Sequence, residues 1–254
     1  MNRLTALLAA AAFAFAGATS VSAQTFSEPQ RGEIEKIIKD YLLKHPEVLQ
    51  EAMAELEKRQ AVAEAEKARS AVKNHSEAIF NSPRQVTLGN LQGDVTFVEF
   101  FDYNCGYCKR ALDDMNALMA KDPKLKVVLK EFPVLGPGSV EAARVAVAVR
   151  MQDKTGKKYM DFHQKLLSGR GQADKARAVA VAKEAGLDMA RIERDLTSDE
   201  VRQTLEESLK LAEKLGLNGT PSYVIGSNVV IGAVGLDKLK ESINTARCGK
   251  TTTC

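Results

Sequence analysis

Cys105 and Cys108, separated by Gly106-Tyr107, are the residues of this 254-residue chain best suited to chemistry. In a CxxC pair one sulfur can attack a foreign disulfide and the other can displace the adduct. The run VTFVEFF (95–101) just before the pair is nearly all apolar, as in a strand covered on both faces. Leu112, Met115 and Met119 mark a helix just after it. Cys105 then falls at the first helical turn, where free N–H groups and the helix dipole stabilise an anion. Its pKa should drop and supply thiolate, the attacking species, at neutral pH. Cys108 lies one turn inward, shielded, and would attack the mixed disulfide on Cys105 and release the partner. Lys109 and Arg110 add positive charge nearby. The same spacing also suits a structural disulfide, or half of a zinc site. A four-thiolate site would have to recruit Cys248 and Cys254, which are separated by five residues and do not form a second CxxC.

Glu99 is the only charge inside VTFVEFF, and a carboxyl group there is costly unless it is neutral, paired or useful. It precedes Cys105 by six residues, so it lies behind the helix and could accept the Cys108 proton. The competing reading is a strand-edge Glu that reaches solvent. Lys130, on a neighbouring expected strand, is a candidate counter-ion. Gly219-Thr220-Pro221 alone is merely a turn. It gains interest because a pair of strands follows it.

The elements that must position these residues can be read along the chain. Ile34, Ile37, Ile38, Tyr41 and Leu42 form one apolar helical face, and His45-Pro46 punctuates it. Val48, Leu49, Ala52, Met53 and Leu56 form a second. Residues 57–73 are mostly Ala, Glu, Lys, Arg and Gln, a helix-favouring segment with little to bury. Strands are expected at 85–88, 95–101 and 126–132, with the Cys105 helix between the last two, a β–α–β unit that requires parallel strands. Several helices fill 139–215. Short strands follow at 222–225 and 229–231, and a helix at 236–246 closes the chain. His163 reads as a surface or packing residue, His45 as a turn residue and His75 as solvated. The methionines read as core filler rather than copper ligands.

Residues 1–23 carry one cation, Arg3, then an apolar run and Val21-Ser22-Ala23, the pattern of a secretory signal peptide. Export would place the cysteines where disulfides form. A net charge of +3 is too balanced for a nucleic-acid binder. With no Trp and 6% aromatics, stacking platforms are poorly supplied. Four cysteines are too few for a disulfide scaffold.

Three segments together resemble the DsbA-like thiol–disulfide oxidoreductases of the thioredoxin superfamily: FVEFFDYNCGYC (97–108), EFPVLGPGSVEAA (131–143) and GTPSYVIG (219–226). The resemblance implies an α/β thioredoxin fold over 83–254 with a helical domain inserted at about 139–215. It implies that Pro221 is cis and faces the Cys105 sulfur, and that the Thr220 backbone holds an extended substrate, with Gly106 and Tyr107 beside it. Glu99 matches the family's buried acid, and Lys130 its partner more loosely. The stretch 33–60 looks like the N-terminal segment of the ScsC-like periplasmic subgroup, linked to suppression of copper sensitivity. Some members of that subgroup trimerise through a helical arm, here 24–82, and act mainly as disulfide isomerases. The implied partners are exported cysteine-containing proteins, further copies of the chain, and a membrane or periplasmic redox partner, with no cofactor and no membrane span in the mature chain. The family comparison leaves open a monomeric dithiol oxidase, and the thiols alone leave open a copper-binding protein. Gly106-Tyr107 departs from typical DsbA in offering no His to favour the thiolate. Cys248 and Cys254 are an extra pair that could close a second disulfide.

Overall fold

The computed structural model describes residues 26–153, 155–249 and 252. The expected signal peptide and Cys254 lie outside the described residues. By internal contacts the chain divides into two units, Met1–Glu57 and Lys58–Cys254.

In the first unit, α1 (Glu28–Lys44) begins at a capping box in which Ser27 and Gln30 satisfy each other's groups. No side chain of α1 is buried. Ile37 and Leu43 are 67% and 71% exposed, with Ile34, Ile38 and Tyr41 also open to solvent. α2 runs Glu47–Asn74, and its residues up to Glu57 leave Leu49, Met53 and Leu56 exposed as well.

The second unit is built on a five-stranded sheet ordered β1-β3-β2-β4-β5. The strands are β1 (Val86–Gly89), β2 (Val95–Phe101), β3 (Leu125–Glu131), β4 (Ser222–Ile225) and β5 (Asn228–Ile231). β2 and β3 pair in parallel, joined by α4 (Gly106–Lys121), and the other pairings are antiparallel. Alternation along β2 explains its composition. Phe97 and Phe101 pack on one face with Val127, Leu129, Tyr223 and Ile225, beneath α4 and α10 (Leu236–Cys248). Val98 and Phe100 pack on the other with Val128 and Val224, against α3 (Ser76–Phe80) and Leu211 and Leu215. The turn from β4 to β5 needs glycine. Gly226 has φ +60°, and a Cβ there would sit 2.8 Å from the Ala246 side chain.

Between β3 and β4 five helices follow one another: α5 (Pro137–Gln152), α6 (Lys157–Ser168), α7 (Lys175–Glu184), α8 (Met189–Asp195) and α9 (Asp199–Lys214). Asp174, Asp188 and Ser198 cap three of them by accepting from backbone N–H groups. α9 returns across the sheet to carry Leu211 and Leu215 onto the second face. No helix among the described residues is long and apolar enough to cross a membrane.

Candidate active site

β2 ends at Phe101, and four residues later the chain enters α4 with Cys105 as its N-cap. Cys105 keeps an extended backbone (φ −79°, ψ 115°), and its Sγ accepts from the Cys108 N–H at 3.4 Å. When protonated, the Cys105 thiol donates to the Thr220 carbonyl, 3.2 Å away. Hydrogen bonding from the Cys108 side chain, then from the Thr220 side chain and the backbone N–H groups of the first turn, favours the thiolate over the opposing effect of burial. Together these bring Cys105 down to about 5. Cys108 is fully buried. Its hydrogen bond to Cys105, its burial and the nearby Glu99 push its thiol far up. One sulfur is therefore ionised and the other keeps its proton. The dithiol is intact here, with both cysteines free.

The loop before Cys105 is held by a carboxyl group. Asp102 is buried and accepts from the Asn104 N–H (2.8 Å), the Val134 N–H (2.8 Å), the Leu135 N–H (2.9 Å) and the Ser139 hydroxyl (2.7 Å). Asn104 then grips the helical block. Its side chain donates to Ala173 O at 2.9 Å and accepts from Ala173 N at 2.7 Å. Beside this loop Tyr103, Tyr159, His163 and Glu131 form a buried cluster, with the Tyr159 hydroxyl donating to Glu131 at 2.8 Å. His163 is 2% exposed, and burial pushes it down to about 3. It is a packing residue against Phe101 and both tyrosines.

Glu99 is 4% exposed, on the sheet face that carries α4, so it does not reach out to solvent from a strand edge. Burial, then the Cys105 charge and Asp114, push it up to about 8. Lys130 is not brought to it. The register pairs Glu99 with Leu129 and Lys130 with Phe100, so the two side chains leave opposite faces of the sheet. Lys130 instead donates to Ala78 O (2.7 Å) and Gln85 Oε1 (2.9 Å), fastening α3, and burial pushes it down to about 8. Lys130 is therefore not the counter-ion of Glu99 that its neighbouring strand position suggests.

The Thr220–Pro221 peptide is cis, and Thr220 is the residue that meets Cys105. Gly106 faces open space, and Tyr107 is 58% exposed with the Arg110 guanidinium 4.5 Å over its ring. Among the described residues no group of three or more His, Cys, Asp and Glu side chains is placed to hold a metal. Cys248 is disulfide-bonded, so it is not available to a four-thiolate zinc site. Sequence reasoning misses Asp102, Asn104 and Tyr223. The Asp-x-Asn run just before the N-cap is the signal that could have pointed to the first two.

A lowered thiol at a helix N-terminus, a shielded one a turn deeper and a Thr–cis-Pro turn against the first define a thioredoxin-fold dithiol protein. A family model described as "DSBA-like thioredoxin domain" matches residues 96–244, and the chain belongs to that family. Residues 30–63 match the "Copper resistance protein ScsC N-terminal domain". A thioredoxin-like oxidoreductase from Silicibacter pomeroyi is 43% identical, with a TM-score of 0.64 over 67% of this chain and 96% of that one. Proteus mirabilis ScsC in a transitional conformation is 27% identical, with a TM-score of 0.64 over 88% of this chain and 98% of that one. Among curated proteins, the Na(+)/H(+) antiporter NhaA 1 of Salinispora arenicola is 23% identical over 168 residues. That match takes in 65% of this chain and spans 25% of the antiporter.

Proposed function

We propose that the chain is a periplasmic thiol–disulfide oxidoreductase that acts on exported cysteine-containing proteins, chiefly as a disulfide isomerase or reductase. The observation that carries the exchange chemistry, whichever its direction, is the split between two adjacent sulfurs, Cys105 held near 5 and Cys108 held far above it. Cys105 thiolate attacks a substrate disulfide, forms a mixed disulfide and expels one substrate thiolate. Cys108 yields its proton to Glu99 and attacks Cys105, releasing the second substrate sulfur. Thr220 and Pro221 present backbone to an extended substrate beside the Cys105 sulfur, with Gly106 and Tyr107 at the rim. Electrons travel through sulfur alone, so a membrane or periplasmic redox partner must restore the dithiol.

The signal-peptide pattern of residues 1–23 supports export. The exposed apolar side chains of residues 34–56 support self-association into a trimer, which would set several dithiols around one substrate. The copper context rests on the match of residues 30–63.

A second direction, dithiol oxidase, is favoured by one observation. A thiolate stabilised near 5 is a good leaving group and makes the disulfide form more oxidising. Refolding of a scrambled-disulfide test protein separates the directions when the reduction potential is measured alongside. An isomerase restores activity to the test protein and loses that ability as Cys105→Ser. An oxidase acts on the reduced test protein and not on the scrambled one. Stoichiometric Cu(I) binding by Cys105 and Cys108 with no exchange activity would replace both readings by a copper-binding one.

A further inference from the structure

The hydroxyl of Tyr223 is fully buried and has no hydrogen-bond partner among the described residues. A phenol so placed is costly, and phenylalanine would fill the same space without the penalty. Tyr223 stands on β4 two residues after Pro221, directly across from Glu99 in the antiparallel β2–β4 pair. The register sends both side chains to the sheet face covered by α4, where Tyr223 shares one buried cluster with Cys105 and Cys108. Glu99 likewise receives no hydrogen bond among the effects that set its ionisation. A donor without an acceptor among the described residues therefore stands directly across from the Glu99 carboxyl group, in the cluster that holds the two sulfurs.

We propose that Tyr223 is a positioning residue for Glu99 in the resolving step: its O–H donates to the Glu99 carboxylate and keeps that carboxylate ready to take the Cys108 proton. This rests on the reading of Glu99 as proton acceptor. In the dithiol, burial and the Cys105 thiolate hold the proton on Glu99. Once Cys105 is in a mixed disulfide its charge is gone, and Glu99 gives its proton to solvent and stands as carboxylate against the phenol. The Cys108 S–H bond then breaks and the proton moves to Glu99. The freed electron pair forms the bond to the Cys105 sulfur. The bond from Cys105 to the partner sulfur breaks, and the partner leaves as thiolate with that bond's electrons. The groups bearing on Glu99 are Cys105, Cys108 and Asp114 from α4 and Tyr223 from β4, with Asp237 and Lys240 of α10 acting on Asp114. β3 faces it with apolar Leu129.

The test is a stopped-flow reaction of the reduced full chain with Ellman's reagent across pH. The first thionitrobenzoate reports Cys105 attack, and the second reports Cys108 resolving the adduct. Tyr223→Phe keeps the ring packed on Phe97, 5.1 Å between centroids, and removes only the hydroxyl. The expected result is an unchanged first phase and a second phase whose rising pH profile moves up by about one unit, slowing it roughly tenfold below the midpoint. Glu99→Gln should abolish that rise altogether. A Tyr223→Phe second phase that superimposes on wild type overturns the proposal. So does a slowed first phase, which would mark a packing role. If Glu99→Gln leaves the second phase and its pH profile unaltered, the reading of Glu99 fails and takes this proposal with it.

Discussion

The Cys105 sulfur meets donors from three directions: the first turn of α4, the Cys108 side chain and Thr220. Its ionisation should be visible directly. Iodoacetamide alkylation of reduced protein should rise with pH and reach half its maximum near pH 5, because only the thiolate reacts and it predominates above that value. Thr220→Val removes one donor and should move the midpoint upward, while Cys108 stays unmodified in both proteins. Glu99 gives a second expectation through linkage. Its folded pKa of about 8 lies above the ordinary 4.5, so the native state binds the extra proton between these values and loses stability as pH rises through them. Glu99→Gln should therefore match wild type near pH 4 and gain roughly 3 kcal/mol over it at pH 7, read by urea unfolding of the reduced proteins. The placement of Cys105 and Cys108 is legible in the sequence because a buried strand, a CxxC and a helix follow without interruption. The surroundings of Glu99 are not. Which neighbours share its face is a matter of register, and a one-residue offset sends Lys130 to the opposite side and brings Tyr223 near.

At the scale of elements, a single buried side chain joins the end of β2 to the start of α5. Asp102 satisfies two backbone N–H groups of the segment linking β3 to α5, a third in its own loop and the Ser139 hydroxyl within α5. Asp102→Ala should leave these donors unpaired and cost about 3 kcal/mol. For a domain of this size that is a fall in Tm of about 6–12 °C, measured by calorimetry. β2 reads from sequence to its last residue because six of its seven residues are strand formers and both faces are buried. The helical block reads as a block because Gly and Asp punctuate it at 156, 169–171 and 186–188. Its contacts with the site are not legible. Asn104 and Ala173 lie 69 residues apart, and nothing local in either announces the other.

For the whole molecule, the question is what covers the apolar side chains of residues 34–56. Ile37→Asp places a charge where 67% of an isoleucine is exposed, so it should leave the folded unit intact. If copies associate through this face, burying a charge at each contact should dissociate them. Sedimentation at micromolar concentration should show wild type as an oligomer and the variant as a monomer, with Cys105 alkylation unchanged. Isomerase activity should fall in step, while simple reduction of small disulfides should not. A monomeric wild type would sever the link between the arm and isomerisation.

Asn104 exchanges hydrogen bonds with Ala173 in both directions, one residue before the reacting sulfur. That pair behaves as a latch across the mouth of the molecule. The latch ties the loop between α6 and α7 to the backbone that sets where Cys105 sits, so a displacement of that loop would be felt at the sulfur. Amide exchange at Ala173 should quicken if peptide binding displaces that loop, and a protected, unchanged Ala173 would show that the tie stays closed.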